Sequence, residues 1–415
     1  MTTTLPLQTA PGRTATPRLG WLDALRGYAA LVVVLFHLSP SVLGSERHLA
    51  IYRTLDFGKY GVLLFFLVSG YVIPMSLEKH GSLRRFWIGR LFRIYPAYLF
   101  ATVFLIICTA TVPAVLRGET VSSVLGHATM LSDPLGLRGA VRVFWTLSYE
   151  MVFYLVVAGL FAWRLHRHSG WWASGLATVA VLAGPRLPDG LFSAGFTSRR
   201  VTAAVLLVLV VVCVAGFLTG RTRIAGLIGI GFVLLIALNA HPTANSTVAS
   251  SQQGLLLLAV MFAGTVIYRA QHGQLDRRAA AATLAGTAAA VAWAAVAPLT
   301  AAAVVVTFAI AFALRARAVP RVLVWLGSIS YSLYLLHVIV LMTGARIVPN
   351  LDDRPIEIRL LAGTVFLAAA LGVAWLSYHA VELPAQSLGR RIDKILGTQR
   401  AVARTGRGEN RTRSV

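Results

Sequence analysis

Apolar runs recur along the whole chain, each about as long as a bilayer core requires and each broken by short polar, often arginine-rich, segments. The runs predict helices near residues 28–45, 61–78, 95–113, 143–163, 171–184, 202–219, 222–240, 253–269, 279–297, 299–316, 325–345 and 358–381. Runs of that length point to an all-α polytopic transmembrane bundle. The Ala-rich stretch 279–316 reads either as two spans or as one re-entrant pair, giving about 10–12 helices. The first run lacks a following small-residue cleavage site and is expected to be a retained helix, not a signal peptide. Residues 1–18 and 389–415 are polar or basic and are expected to be disordered tails flanking a membrane domain over 19–388.

Composition agrees with the pattern. Of 415 residues 57% are hydrophobic and 13% charged, and the mean hydropathy is +0.72. Such values lie far from those of soluble domains and define a polytopic membrane protein. The net charge of +23 could indicate nucleic acid, but its distribution argues against that. With the N-terminus placed inside, the cytoplasmic segments collect most of the 38 Lys and Arg, as the positive-inside rule requires. An even number of spans then places both termini in the cytoplasm. The charge is a matter of topology and of attraction to anionic lipid headgroups. Cys108 and Cys213 both lie in apolar runs and offer neither a disulfide framework nor metal-ligand spacing, so no metal is expected.

Polar residues inside the runs carry the chemistry, because ionisable groups in lipid are costly without a partner or a use. Arg26 and His37 are eleven residues apart in the first helix. That spacing turns a helix through about 1100°, three turns plus about 20°, so both side chains share one face about 16 Å apart along the axis. In the second helix Phe65-Phe66-Leu67-Val68-Ser69-Gly70 ends on two small residues that allow another backbone to come close. Arg90 and Arg93, at i and i+3 in an aromatic-rich segment, suit two-pronged capture of phosphate; topological charge is the plainer alternative. Glu150 sits about one and a half turns into the helix opened by Trp145, Thr146, Leu147 and Ser148. Tyr331, Tyr334 and His337 step at i, i+3 and i+6 and form a polar ridge at membrane depth, with interhelical hydrogen bonding as the alternative use.

Taken in order, these segments resemble the acyltransferase family 3 membrane proteins, the integral-membrane O-acyltransferases of bacteria. The resemblance runs from Leu22 to Pro384. It rests on Arg26 and His37, Phe65 to Gly70, Arg90 to Pro96, Trp145 to Glu150, Ser330 to His337, and the closing Glu382-Leu383-Pro384. Ala24 stands where the family commonly has glycine, and the hydrolase-like periplasmic domain of many members is not seen.

The resemblance implies transfer of an acyl group, expected to be acetyl, from a cytoplasmic acyl-CoA to a carbohydrate hydroxyl in the bacterial plasma membrane. Acyl-CoA would be a co-substrate, with no permanently bound cofactor. His37 is the expected general base, since an attacking hydroxyl must lose its proton and neutral imidazole titrates near 6.5. Glu150 is expected to orient it, as the acid of a triad does. Arg90 and Arg93 are expected to hold the phosphates of coenzyme A, and Arg26 its pyrophosphate or the channel to His37. Trp145, Ser148, Tyr331, Tyr334, His337 and Glu382 are expected to line the substrate path or support it. A covalent acyl-histidine and direct transfer are both compatible with these residues. The expected acceptor is a sugar on a small secreted metabolite or an envelope glycolipid, contacted by the outer segments Pro113–Arg142 and Asn239–Gly254. A transporter using the same buried charges as a substrate path is the rival reading.

Overall fold

The structure, a computed structural model, describes residues 19–109, 120–294 and 298–412. Every predicted apolar run carries a helix. These are α1 (Gly20–Leu43), α3 (Phe57–His80), α4 (Leu83–Thr109), α6 (Trp145–Ala162), α7 (Ser169–Leu182), α8 (Phe196–Thr219), α9 (Thr222–Asn239), α10 (Ser251–Gln271), α11 (Arg277–Ala294), α12 (Pro298–Ala313), α13 (Arg321–Ile347) and α14 (Ile356–Ser377). Among the described residues nine helical stretches are long and apolar enough to cross a bilayer; α7, α11 and α12 fall short in length or hydropathy. The Ala-rich stretch is two separate helices.

Three further helices lie outside the predicted set. α2 (Ser45–Thr54) follows α1 and buries nothing, as a short polar helix lying on a surface does. α5 (Thr120–Thr129) and the turn after it fill part of what was expected to be an exposed outer loop. α15 (Leu383–Thr412) continues from α14 through a π-helical turn at Tyr378–Glu382. The tail expected to be disordered beyond residue 388 therefore begins as helix. Arg84 and Arg85 hold it against α4 through Asp393, at 3.6 and 3.5 Å, and Arg84 also donates to the carbonyl of Leu396. The segment 1–18 lies outside the described residues.

Burial separates inner from outer helices. The stretches containing α6 and α10 are 89% and 83% buried, against 28% for α4 and for α8. Lipid can face the outer helices along exposed apolar side chains such as Leu99, Val103 and Ile107 of α4 and Val201, Val208 and Val211 of α8. In the interior the helices meet where glycine removes the side chain. A Cβ on Gly27 of α1 would stand 2.5 Å from the backbone nitrogen of Gly327 in α13, and one on Gly327 would collide with the carbonyl of Asp23. These two helices run parallel at backbone contact, residue n of one beside residue n + 300 of the other. Gly70 of α3 plays the same part against α10, where a Cβ would overlap the carbonyl of Met261; Thr265 also donates to the carbonyl of Gly70 at 2.8 Å. Gly70 thus gives the close backbone approach its sequence predicts, while Ser69 faces the interior cavities instead.

The outer segments fold into one another. Tyr95 of α4 donates its hydroxyl to the carbonyl of Ala128, and Met130, Leu131 and Leu135 are fully enclosed, so the turn after α5 is driven into the bundle by its apolar side chains. Asp133 goes in with them. Its Oδ1 accepts from the amide of Thr247 at 2.7 Å, and its carbonyl accepts from Ser246. Asn239 donates to the carbonyl of Pro134 and accepts the amides of Phe192 and Ser193. The parts of Pro113–Arg142 and Asn239–Gly254 that the structure describes are therefore largely committed to each other.

Burial pushes the Asp133 carboxyl up from its ordinary 3.8 to about 6, against the opposing hydrogen bonds from Thr247. The unfolded chain would ionise this group near 3.8 and the folded one near 6. Its contribution to stability is therefore full below the lower value and is lost as pH rises through the upper one. The melting temperature of the purified protein should fall between about pH 4 and pH 7, and Asp133→Asn should flatten that part of the profile. An unchanged profile in the variant would assign the titration elsewhere.

Candidate active site

His37 and His337 are brought together by the register of α1 and α13. Ten residues beyond the Gly27–Gly327 crossing, the same n + 300 pairing sets His37 Nδ1 3.4 Å from His337 Nε2, with ring centroids 5.1 Å apart. The proton positions follow from the partners. His337 Nδ1 lies 3.0 Å from the carbonyl of Leu333, which can only accept, so Nδ1 carries the hydrogen and Nε2 the lone pair. His37 Nδ1 faces two acceptors, the carbonyl of Val33 at 2.9 Å and that lone pair, so it carries the hydrogen as well. His37 Nε2 is left as the basic nitrogen. His337 is fully buried, whereas His37 is only partly so.

Towards the other end of α1 lies a polar cavity lined by Arg26, Ser69, Arg90, Arg93, Glu150, Tyr154 and Tyr331. A second cavity shares Arg26, Ser69, Glu150 and Tyr331 with it and extends along Phe65 and Thr146 to Tyr334. The Tyr334 ring stands 6.0 Å from that of His337. Together the two cavities lead from the arginines to the turn of α13 that precedes the histidine pair.

Glu150 Oε1 accepts from Ser69 Oγ at 3.2 Å and from the Tyr154 hydroxyl at 2.5 Å. No hydrogen bond joins it to His37 among the described residues, and the imidazole is oriented instead by Val33 and His337. Glu150 projects from α6 into the arginine cavity, which fits it as a counter-charge there rather than as a triad acid. One carboxylate among three guanidiniums leaves the cavity positive. Arg26 Nε is buried without a hydrogen-bond partner among the described residues, and the Arg90 guanidinium rests over the rings of Phe86 and Tyr154 at 5.4 and 5.2 Å. A buried, undersatisfied guanidinium beside two more is suited to an anion with several acceptor oxygens.

The other predicted residues divide. Tyr331 donates to the carbonyl of Ile94, and Tyr334 donates to the carbonyl of Val143 while accepting from Thr146, so each ties α13 to a neighbour and also lines the cavity. Trp145 packs edge-on against Tyr149. Ser148 is fully buried and lines neither cavity. Glu382, in the π-helical turn, accepts from the amide of Ser332 at 3.1 Å and from its hydroxyl. That contact fixes α14 and α15 to α13 one turn before His337. Sequence reasoning assigned no role to Ser39 and His48, whose Oγ and Nδ1 meet at 2.6 Å beside Phe36, next to His37. His48 lies on α2, which no apolar run announces.

Several known proteins resemble the chain. The chain is 29% identical to acyltransferase MdmB of Streptomyces mycarofaciens over 40% of its own length and 46% of that protein. It is 28% identical to the putative peptidoglycan O-acetyltransferase YrhL of Bacillus subtilis (strain 168) over 32% of the chain and 22% of the relative. It is also 30% identical to nodulation protein 10 of Rhizobium leguminosarum bv. viciae over 39% and 48%. Each match thus spans half or less of the curated relative. No solved structure matches the chain. The acyltransferase domain model of family 3 covers residues 19–379, from the first turn of α1 to the π-helical turn, with every residue of both cavities and the histidine pair inside it, and the chain therefore belongs to that family of membrane proteins.

Proposed function

We propose that the protein transfers an acyl group, acetyl in the simplest case, from acyl-CoA to a sugar hydroxyl, with His37 as general base. The observation that carries the reading is the basic Nε2 of His37 beside His337, whose ring stands 6.0 Å from that of Tyr334 at the far end of two adjoining cavities that begin at three arginines. Arg90, Arg93 and Arg26 hold the phosphates of coenzyme A, and the pantetheine arm extends along the passage between α3, α6 and α13. The acceptor hydroxyl gives its proton to His37 Nε2 as its oxygen attacks the thioester carbonyl. The new positive charge is met by the Val33 carbonyl and the His337 lone pair, both already aimed at Nδ1. Collapse of the tetrahedral intermediate expels the thiolate, which recovers the proton from the imidazolium. A sugar acceptor is supported by the Bacillus relative, named a putative peptidoglycan O-acetyltransferase. A glycosylated small molecule or an envelope glycolipid suits a site enclosed within a bundle. The bacterial plasma membrane, with both termini in the cytoplasm, is the setting in which the arginines meet a cytoplasmic donor.

Purified protein in nanodiscs, given acetyl-CoA and a glycolipid extract of its host, should release free thiol only when the extract is present. The acylated product should gain the mass of one acetyl group. Thiol release that ignores the extract, or an unmodified extract, would overturn the assignment of acceptor.

A further inference from the structure

Across α3 from the catalytic passage lies a second, larger cavity of about 740 Å³, walled by α3, α10, α11 and α12. It shares no lining residue with either polar cavity: Leu63 and Leu67 face it, whereas Val62, Phe66 and Ser69 of the same helix face the passage. Its origin is legible in the side chains. α11 presents Ala281, Ala285 and Ala288 where larger residues would close the gap to α10 and α12. Such a void is costly in a close-packed bundle, and water has no partners along these walls. Hydrocarbon does.

One end of the cavity is different. Arg277, at the start of α11, and Arg315, just beyond the end of α12, line it together with Gln271. The Arg315 guanidinium is stacked over Phe312 at 4.1 Å and donates Nη1 to the Phe312 carbonyl, so it is held in place with further N–H groups free. Gln271 accepts the Tyr71 hydroxyl on Oε1 at 2.6 Å, which leaves its amide hydrogens as donors. Asp276, the carboxylate next in sequence, is already engaged in capping α11 through the amides of Arg278 and Ala279.

We propose that this cavity is a binding site for an anionic phospholipid, one acyl chain in the slot between α11 and α12 and the phosphate at Arg277, Arg315 and Gln271. The volume falls within the range of about 300–1,000 Å³ typical of ligand pockets. The site is distinct from the donor and acceptor paths, and it does not depend on the acyl-transfer reading. In it, lipid completes the packing of α3, the helix whose opposite face carries Ser69.

Native mass spectrometry of the full chain, delipidated and then given equal phosphatidylglycerol and phosphatidylcholine, tests the site. The wild type should retain one phosphatidylglycerol in preference to phosphatidylcholine by roughly ten- to thirty-fold, the effect of two arginines at a membrane surface. Arg277→Gln combined with Arg315→Gln should reduce the preference to within about twofold; both side chains are exposed, so folding is not at stake. Arg317→Gln, outside the cavity, should leave it intact. Ala288→Trp, or the milder Ala285→Leu if the first fails to fold, should abolish retention of either lipid by filling the slot. Equal retention of the two lipids by the wild type, a preference that survives the double substitution, or no retained lipid at all would overturn the proposal.

Discussion

His37→Ala should lower kcat by about 10²–10⁴-fold while leaving the protein folded, the usual cost of removing a general base. The histidine is only partly buried and, among the described residues, bonds another helix only through His337, so its loss should not unseat α1. The same assay separates base from support. His337→Ala removes the lone pair that faces His37 Nδ1, a hydrogen bond to a group that becomes charged, worth about 1.5–3 kcal/mol or roughly ten- to a hundred-fold in rate. It also removes the packing of a fully buried ring against Tyr334, so His337→Gln serves as the less disruptive companion variant. Acyl transfer by purified, monodisperse variants at saturating donor gives both values. A folded His37→Ala protein with more than about a tenth of wild-type rate would remove the imidazole from the mechanism. Equal losses in the two variants would mean that both rings take part in the proton transfer.

Arg90→Ala and Arg93→Ala should each raise KM for acyl-CoA about ten- to a hundred-fold with a smaller change in kcat, since a charge-assisted phosphate contact contributes about 1.5–3 kcal/mol. Lysine should recover only part of the loss, because a single ammonium cannot reproduce the guanidinium fork. Arg90 has a second contribution, its contact with the rings of Phe86 and Tyr154, so Arg90→Lys should fall further short than Arg93→Lys. Steady-state kinetics with donor and acceptor varied in turn decide the matter. If KM rises for the acceptor and not for the donor, the arginine cavity is the acceptor's.

The sequence carries the helices plainly, because an uninterrupted apolar run long enough for a bilayer has few other uses. It also carries the faces: Arg26 lines the cavities, and the Tyr331–Tyr334–His337 ridge points inward, as the helical period requires. What it does not carry is which face meets which. Glu150 has suitable depth and chemistry to orient His37, yet its carboxylate is taken by Ser69 and Tyr154, and His37 meets His337, 300 residues away. Spacing within one helix sets angle and depth but says nothing about the neighbour across the bundle. The elements without an apolar run were missed for a related reason. α2 is polar, the turn after α5 is too short an apolar segment to announce itself and is held in place by Asn239, Ser246 and Thr247 from distant parts of the chain, and α15 is held by Asp393 between two arginines that read as topology alone.

The glycine crossing of α1 and α13 makes the histidine pair the tip of a lever. From Gly27 to His37 the helix rises about 15 Å, so a change of only about 5° in the crossing angle would displace one ring from the other by more than about 1 Å. That is enough to undo a contact already 3.4 Å long. The chemistry at one end of these helices is therefore tuned by atoms near the other, where Gly27 and Gly327 leave no room for even a methyl group.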